Sequence, residues 1–170
     1  MKSKRRETIS FHPTNEEIAQ INQWLFKEDN LTGEGFYCNW NIINRHYSEG
    51  RMATISINKK NVGFVIWTEF ESVARIEIIE VKPSYRKRGL GKRLVDELII
   101  RLRENGTCVL DLQCSPATSE PIWRRLGFID IPGTEENTNN GERFGKELYQ
   151  ILIPHSESTT LVDDEDDVIQ

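Results

Sequence analysis

The run Val81-Lys82-Pro83-Ser84-Tyr85-Arg86-Lys87-Arg88-Gly89-Leu90-Gly91-Lys92-Arg93 holds the residues of this chain best suited to chemistry. Six cations and no acid lie between Lys82 and Arg93. Gly89 and Gly91 remove side chains where a polyanion must approach the backbone, and glycine tolerates the positive φ of a tight turn. The run ends an apolar strand and opens an amphipathic helix, whose first N–H groups are unpaired and sit at the positive end of the helix dipole. Such a turn is a cradle for a pyrophosphate. Short glycine motifs recur by chance, so a strand–helix turn that is merely basic is the alternative until the remaining elements are read.

Those elements must place the cradle at the edge of a core. The length suits one domain, residues 1–153, followed by a polar, acidic tail, residues 154–170, whose composition argues for solvation. Net charge is −5, yet Asp163-Asp164-Glu165-Asp166-Asp167 accounts for all of it, so overall charge says little about partners. No apolar run approaches the roughly 20 residues of a membrane span. The basic start, Lys2 to Arg6, lacks the apolar stretch of a signal peptide. Cys38, Cys108 and Cys114 follow no metal-ligand spacing, and reduced thiols in the cytoplasm are the simplest reading, with no metal expected.

Glu7 to His12 reads as a first strand. Thr14 and Glu17 form a capping box for a helix whose apolar face is Ile18, Ile21, Leu25 and Phe26, broken at Gly33-Glu34-Gly35. A second helical segment covers Tyr37 to Tyr47. Arg51–Asn58 and Val62–Phe70 form a hairpin around Asn58-Lys59-Lys60-Asn61, and Val73–Val81 is a further long strand. The helix after the cradle buries Leu90, Leu94, Leu98 and Leu102 with Val95 and Ile99, and Asn105-Gly106 stops it. Thr107–Gln113 is a strand, Thr118–Leu126 a short helix, Gly127–Ile131 a strand, and about Phe144–Ile153 the last strand.

This order, with an anion cradle after the fourth strand, resembles the GCN5-related N-acetyltransferase (GNAT) family over Glu7 to Ile153. Arg86-Lys87-Arg88-Gly89-Leu90-Gly91 matches the family's Q/R-x-x-G-x-G/A acetyl-CoA signature, and Trp123-Arg124-Arg125-Leu126-Gly127-Phe128 its later aromatic-x-x-L-G-F element. The resemblance implies an α/β (α+β) fold. A central mixed, mostly antiparallel sheet of about seven strands splays between the fourth and fifth, with about four helices around it. It implies acetyl-CoA as co-substrate, direct acetyl transfer to a primary amine, and no metal. Backbone N–H groups of Arg88, Gly89, Leu90, Gly91 and Lys92 would hold the pyrophosphate. Arg86, Lys87 and Arg93 would attract the 3′-phospho-ADP, a solvated charged face being the alternative for the side chains of Lys87 and Arg88. The pantetheine would pair with the backbone of Ile79 and Val81, and the Val81 N–H would face the thioester oxygen.

A primary amine is mostly protonated at neutral pH, so its attack on a thioester needs a base. Glu77 is the first candidate: it stands inside the apolar strand Arg75-Ile76-Glu77-Ile78-Ile79-Glu80-Val81, and a glutamate takes the matching position in glucosamine-phosphate acetyltransferases of the family. Asp111, on the facing strand, matches by its spacing to Trp123 the glutamate base of ribosomal-protein N-terminal acetyltransferases. Glu80, beside the expected bulge, is the third. For each, solvation or pairing with Arg75 or Arg51 is the alternative. Trp123 stands where many family members carry a tyrosine that protonates the leaving thiolate; an indole N–H is no general acid. Trp123 therefore packs in the core or along the pantetheine. Cys114 as a covalent acetyl carrier, and His12 or His46 as catalysts, are weaker than packing roles.

Acceptor choice in this fold falls to Glu28–Tyr47, with Phe36, Tyr37, Trp40, His46 and Tyr47, and to Pro132–Gly145, with Glu135, Glu136 and Glu142. The second loop could attract a cationic acceptor or be solvated. An alternative class is a non-catalytic acyl-CoA-binding sensor or interaction module of the same fold. Nucleic acid is disfavoured, because the cations concentrate at one phosphate-sized cradle. A homodimer stays open.

Overall fold

The computed structural model describes residues 6–133 and 145–153. Strand β1 (Glu7–Ser10) leads to helix α1 (Asn15–Thr32). Thr14 caps α1: its Oγ1 accepts from the Glu17 N–H at 3.2 Å while Glu17 Oε2 accepts from the Thr14 N–H at 2.9 Å. Gly33, at φ 67°, ends the helix. A 3₁₀ turn over Tyr37–Asn39 precedes α2 (Trp40–Ser48). Strands β2 (Met52–Ile57), β3 (Lys60–Phe70) and β4 (Val73–Val81) form an antiparallel meander. Then come α3 (Leu90–Glu104), β5 (Val109–Gln113), α4 (Glu120–Arg125), β6 (Ile129–Asp130) and β7 (Glu147–Ile151). The expected last strand is shorter than Phe144–Ile153, and Phe144 lies outside the described residues, as do Glu135, Glu136 and Glu142.

One seven-stranded sheet runs β1-β2-β3-β4-β5-β7-β6. It is mixed: β4 and β5 are parallel, joined by the crossover through α3, and the other neighbours are antiparallel. On one face Leu90, Leu94, Leu98 and Leu102 of α3 pack with Val65, Trp67, Ala74, Ile76, Leu110 and Leu112. On the other, Ile18, Ile21, Trp24 and Leu25 of α1 and Ile43 of α2 cover Phe64, Ile66 and Ile78. Polar contacts seat α1 as well. Glu17 Oε1 accepts from the hydroxyls of Thr54 and Ser56, each at 3.0 Å, and Trp24 Nε1 donates to Asn61 Oδ1 at 3.2 Å. No helix among the described residues is long and apolar enough to cross a membrane.

The sheet faces swap occupants along β4, and the cause is one extra residue. Ile66 pairs with Ile78 and Trp67 with Ile76, which leaves Glu77 as a bulge. Before it Ala74 and Ile76 face α3; after it Ile79 and Val81 do, while Ile78 turns to α1 and α2. The bulge is thus at Glu77, earlier than the sequence suggested, and it carries Glu80 to the α1 face.

Candidate functional site

Parallel pairing of β4 with β5 runs from Val73↔Val109 to Ile76↔Leu112 and ends there. From Glu77 to Val81 the β5-side edge of β4 has no strand partner among the described residues. The Lys82 N–H donates to Val62 O at 2.9 Å, which makes Gly63 and Val81 a non-hydrogen-bonded pair. The N–H and C=O of Val81, and by the same alternation those of Ile79, therefore point away from β3 and into the gap. An open backbone edge flanked by two strands of one sheet is a slot for an extended, amide-bearing chain.

At one end of the slot lies the cradle. Lys87 (φ 61°) and Gly89 (φ 76°) both take left-handed conformations, the alternation that turns successive N–H groups to one concave side. The first bond of α3 is from the Arg93 N–H to Gly89 O at 3.0 Å, and no side chain caps the helix. The N–H groups of Leu90, Gly91 and Lys92 thus have no acceptor within the helix. A Cβ on Gly89 would meet nothing within 4 Å, so an incoming group reaches bare backbone. These features fit a pyrophosphate.

The cradle's cations are mostly engaged. Arg88 lies over the Tyr85 ring, 5.0 Å from its centroid, and donates to Ser84 O at 3.1 Å. Lys92 pairs with Asp96 and Arg93 with Glu7. Arg86 turns inward: Nε donates to Val81 O at 2.8 Å, and Nη2 donates to Glu28 at 2.8 Å and Glu80 at 2.9 Å. It joins the cradle to β4 and α1 while its side chain stays half exposed. Beside the cradle a cleft of about 460 Å³ carries Lys60, Ser84, Tyr85 and Arg88 on its walls.

At the other end a cavity of about 520 Å³ passes through the sheet. From the α3 side Leu112 of β5 and Trp123 of α4 line it, and from β4 come Ile76, Glu77, Ile78 and Ile79. The segment before and within α2 supplies Gly35, Phe36, Cys38, Asn39 and Ile42, and β5 with its following turn adds Gln113 and Ser115. Trp123 is also core, packed edge-on to Phe128 with centroids 5.5 Å apart. Of the aromatic residues expected here only Phe36 lines the cavity. Tyr37, Trp40 and Tyr47 pack against the α1 core, and His46 is buried with Nδ1 against Ile42 O. Cys114 is fully buried, and burial pushes its thiol up, which keeps it protonated.

The three candidate carboxylates have three different fates. Glu77 is exposed to the cavity and accepts from the Thr68 hydroxyl at 3.0 Å. Asp111 is held at 2.6 Å by Arg75, which also binds Glu147 at 3.2 Å. Glu80 is buried against Glu28 and Arg86, and burial above all, reinforced by the Glu28 charge and opposed by Arg86, pushes it up to about 8. Burial therefore favours its protonated form. The second oxygens of Glu28 and Glu80 are both buried without a hydrogen-bond partner, which is the desolvation that raises Glu80. Sequence reading passed over Glu28, although its place on the apolar face of α1, after Ile21 and Leu25, marks it.

Residues 15–128 match the family described as acetyltransferase (GNAT) family. No curated protein matches the chain. Solved structures of similar fold include the ribosomal-protein-S18-alanine N-acetyltransferase of Escherichia coli, with TM-score 0.61 and 19% identity over 90% of this chain and 98% of that one. The GNAT N-acetyltransferase YhbS of Escherichia coli, in complex with CoA, gives 0.65 and 17% over 90% and 85%. The PaiA N-acetyltransferase of Thermoplasma acidophilum, in complex with coenzyme A, gives 0.63 and 15% over 86% and 99%.

Proposed function

This chain belongs to the acetyltransferase (GNAT) family, and on that premise we propose that it is an acetyl-CoA-dependent N-acetyltransferase acting on a primary amine. One observation carries the reading: the open edge of β4 runs from an uncapped helix start at one end to a cavity holding a free carboxylate at the other. Coenzyme A in two structural relatives supports the choice of ligand. Three free cysteines suit a reducing, cytoplasmic setting.

Bound acetyl-CoA would supply an activated acetyl group as a thioester. The N–H groups of Arg88 to Lys92 hold the pyrophosphate, and Lys60 and Arg88 flank the adjoining cleft. Ile79 and Val81 offer their gap-facing N–H groups to the pantetheine and the thioester oxygen. A donor fixed before reaction contributes about 3 kcal/mol to lowering an acyl-transfer barrier. Glu77, oriented by Thr68, takes the proton from the acceptor ammonium. Asp111 is neutralised by Arg75 and burial favours the protonated form of Glu80, so neither competes for that role. Trp123 forms a wall and donates no proton; a thiol of reference pKa about 8.5 is a tolerable leaving group without an acid.

The indole at Trp123 also favours one other reading, a binding domain that holds acyl-CoA without turnover. Titration with acetyl-CoA by calorimetry, followed by an amine panel with free-thiol detection, separates the two. Binding with amine-dependent thiol release is expected. Binding without release would leave the sensor, and failure to bind would remove the cofactor assignment.

A further inference from the structure

From the lining of the cavity we infer that the acceptor is a primary amine on an uncharged body, bearing neither carboxylate nor phosphate. The inference rests on the acetyl-transfer reading and names the substrate class of that same site. Among the described residues lining the cavity, Glu77 is the only carboxylate and the only acidic or basic residue apart from the Cys38 thiol. Among the described lining residues there is no lysine, arginine or histidine to neutralise an anionic group. Arg75, one residue from the wall, has its guanidinium bound by both Asp111 and Glu147. With Glu77, this part of the sheet face holds one guanidinium among three carboxylates. A carboxylate or phosphate on the acceptor would lose hydration without a counter-ion and would face like charge. One ammonium, by contrast, finds Glu77. The remaining walls mix the apolar Phe36, Ile42, Ile78, Leu112 and Trp123, surfaces that gain from covering hydrocarbon or an aromatic ring, with the uncharged polar side chains of Asn39, Gln113 and Ser115, which can meet an amide or hydroxyl. A second ammonium inside the cavity would find no second carboxylate among the described lining residues.

The test compares phenethylamine, phenylalanine amide, phenylalanine, glucosamine 6-phosphate and spermidine, by kcat/KM from thiol release. Calorimetric titration of each into protein saturated with CoA gives a readout independent of turnover. Phenethylamine and the amide should exceed phenylalanine by about a hundredfold, the penalty of an unpaired buried charge. The same order should hold in binding. Gln113→Arg, at an exposed lining position, would place a cation on the wall and should narrow the ratio by roughly tenfold.

Equal use of phenylalanine and its amide, or preference for the sugar phosphate or spermidine, would overturn the inference while leaving the acetyltransferase reading intact. CoA binding without thiol release from any amine, and without amine binding, would remove both. A Gln113→Arg variant with an unchanged ratio would show that charge in the lining does not set the choice, and would equally overturn it.

Discussion

The two ends of the gap beside β4 are made of different material. At the cradle end, the proposed recognition belongs to the backbone: left-handed Lys87 and Gly89, N–H groups from Leu90 to Lys92 without an acceptor in the helix, and the cations of Arg86, Arg88, Lys92 and Arg93 already engaged with the Glu28–Glu80 pair, Tyr85, Asp96 and Glu7. At the cavity end, recognition belongs to side chains drawn from α2, β4, β5 and α4, and from the loop before α2. The difference teaches where each property is encoded. A local run of sequence specifies a backbone cradle, and any ligand with a pyrophosphate satisfies it. A cavity assembled from distant elements is free to vary residue by residue, so the same fold serves many acceptors.

The contrast is broken most sharply by giving the cradle a side chain. Gly89→Val forces a β-branched residue to φ 76° and projects its methyl groups into the open space above the N–H groups. CoA affinity should fall at least about a hundredfold, since the helix start must rearrange or the anion site is filled. Calorimetry checks this, with circular dichroism showing that the sheet persists. Retained affinity would mean that cations, not backbone, hold the ligand.

The opposite substitution leaves the cradle intact and disables the cavity. Glu77→Gln keeps the shape and the Thr68 contact but removes the proposed base. The expected outcome is a fall of about a hundredfold in kcat, the usual scale of general-base catalysis, with CoA affinity unchanged. A fall that lessens at high pH, where the amine loses its own proton, would strengthen the assignment. Unaltered kcat would return the role to solvent.

These two substitutions also mark how far the chain could be read without its structure. Arg86 to Gly91 was legible because one glycine pattern encodes one backbone shape. The helices were legible from their spacing, down to the Thr14–Glu17 box, but Phe26, expected on the apolar face of α1, is exposed, and Trp24 is buried in its stead. Glu77 stood out as a charge among isoleucines, but its bulge did not. A register shift of one residue depends on which β3 residue each isoleucine meets, and the only local trace is the adjacent pair Ile78-Ile79, one for each sheet face. Asp111 stood second to Glu77 with pairing to Arg75 as its alternative, and that Arg75 takes Asp111 and not Glu77 depends on parallel pairing across 36 residues of sequence. Aromatic residues before and within α2 could not be divided into wall and core, since that depends on how α2 settles on β3.

Between the two ends lies the Glu28–Glu80–Arg86 cluster, whose effect should be felt in stability. Glu80 is raised from about 4.5 to about 8, so the folded state binds its proton more tightly than the unfolded chain. The stabilisation is fully present below about 4.5 and is lost as pH rises through about 8. Glu80→Gln keeps a donor for Glu28 and leaves the Glu28–Arg86 ion pair. Its Tm relative to the parent should therefore rise with pH, by roughly 5 °C between pH 6 and pH 9. A constant difference across that range would show that Glu80 is ionised throughout.

The smallest effect expected comes from the second glycine of the cradle, and it sharpens the comparison by splitting the motif. Gly91 lies within the first turn of α3, and a Cβ there would meet only Val81 Cγ2, at 3.9 Å, an ordinary contact. Neither a left-handed φ nor a clash requires glycine at this position, unlike Gly89. Gly91→Ala removes backbone freedom from the unfolded chain and adds a favourable helix former, worth about 0.5–1 kcal/mol. That is roughly 2–4 °C in Tm for a domain of this size. CoA affinity should stay within about threefold, because the N–H groups that hold the pyrophosphate do not move. Thermal melts and calorimetry on one sample read both quantities. A stabilised variant that still binds would assign the cradle's function to the conformation at Gly89 and its neighbours. A stabilised variant that no longer binds would show that the ligand itself presses against Gly91, and that the room beside Val81 belongs to the slot.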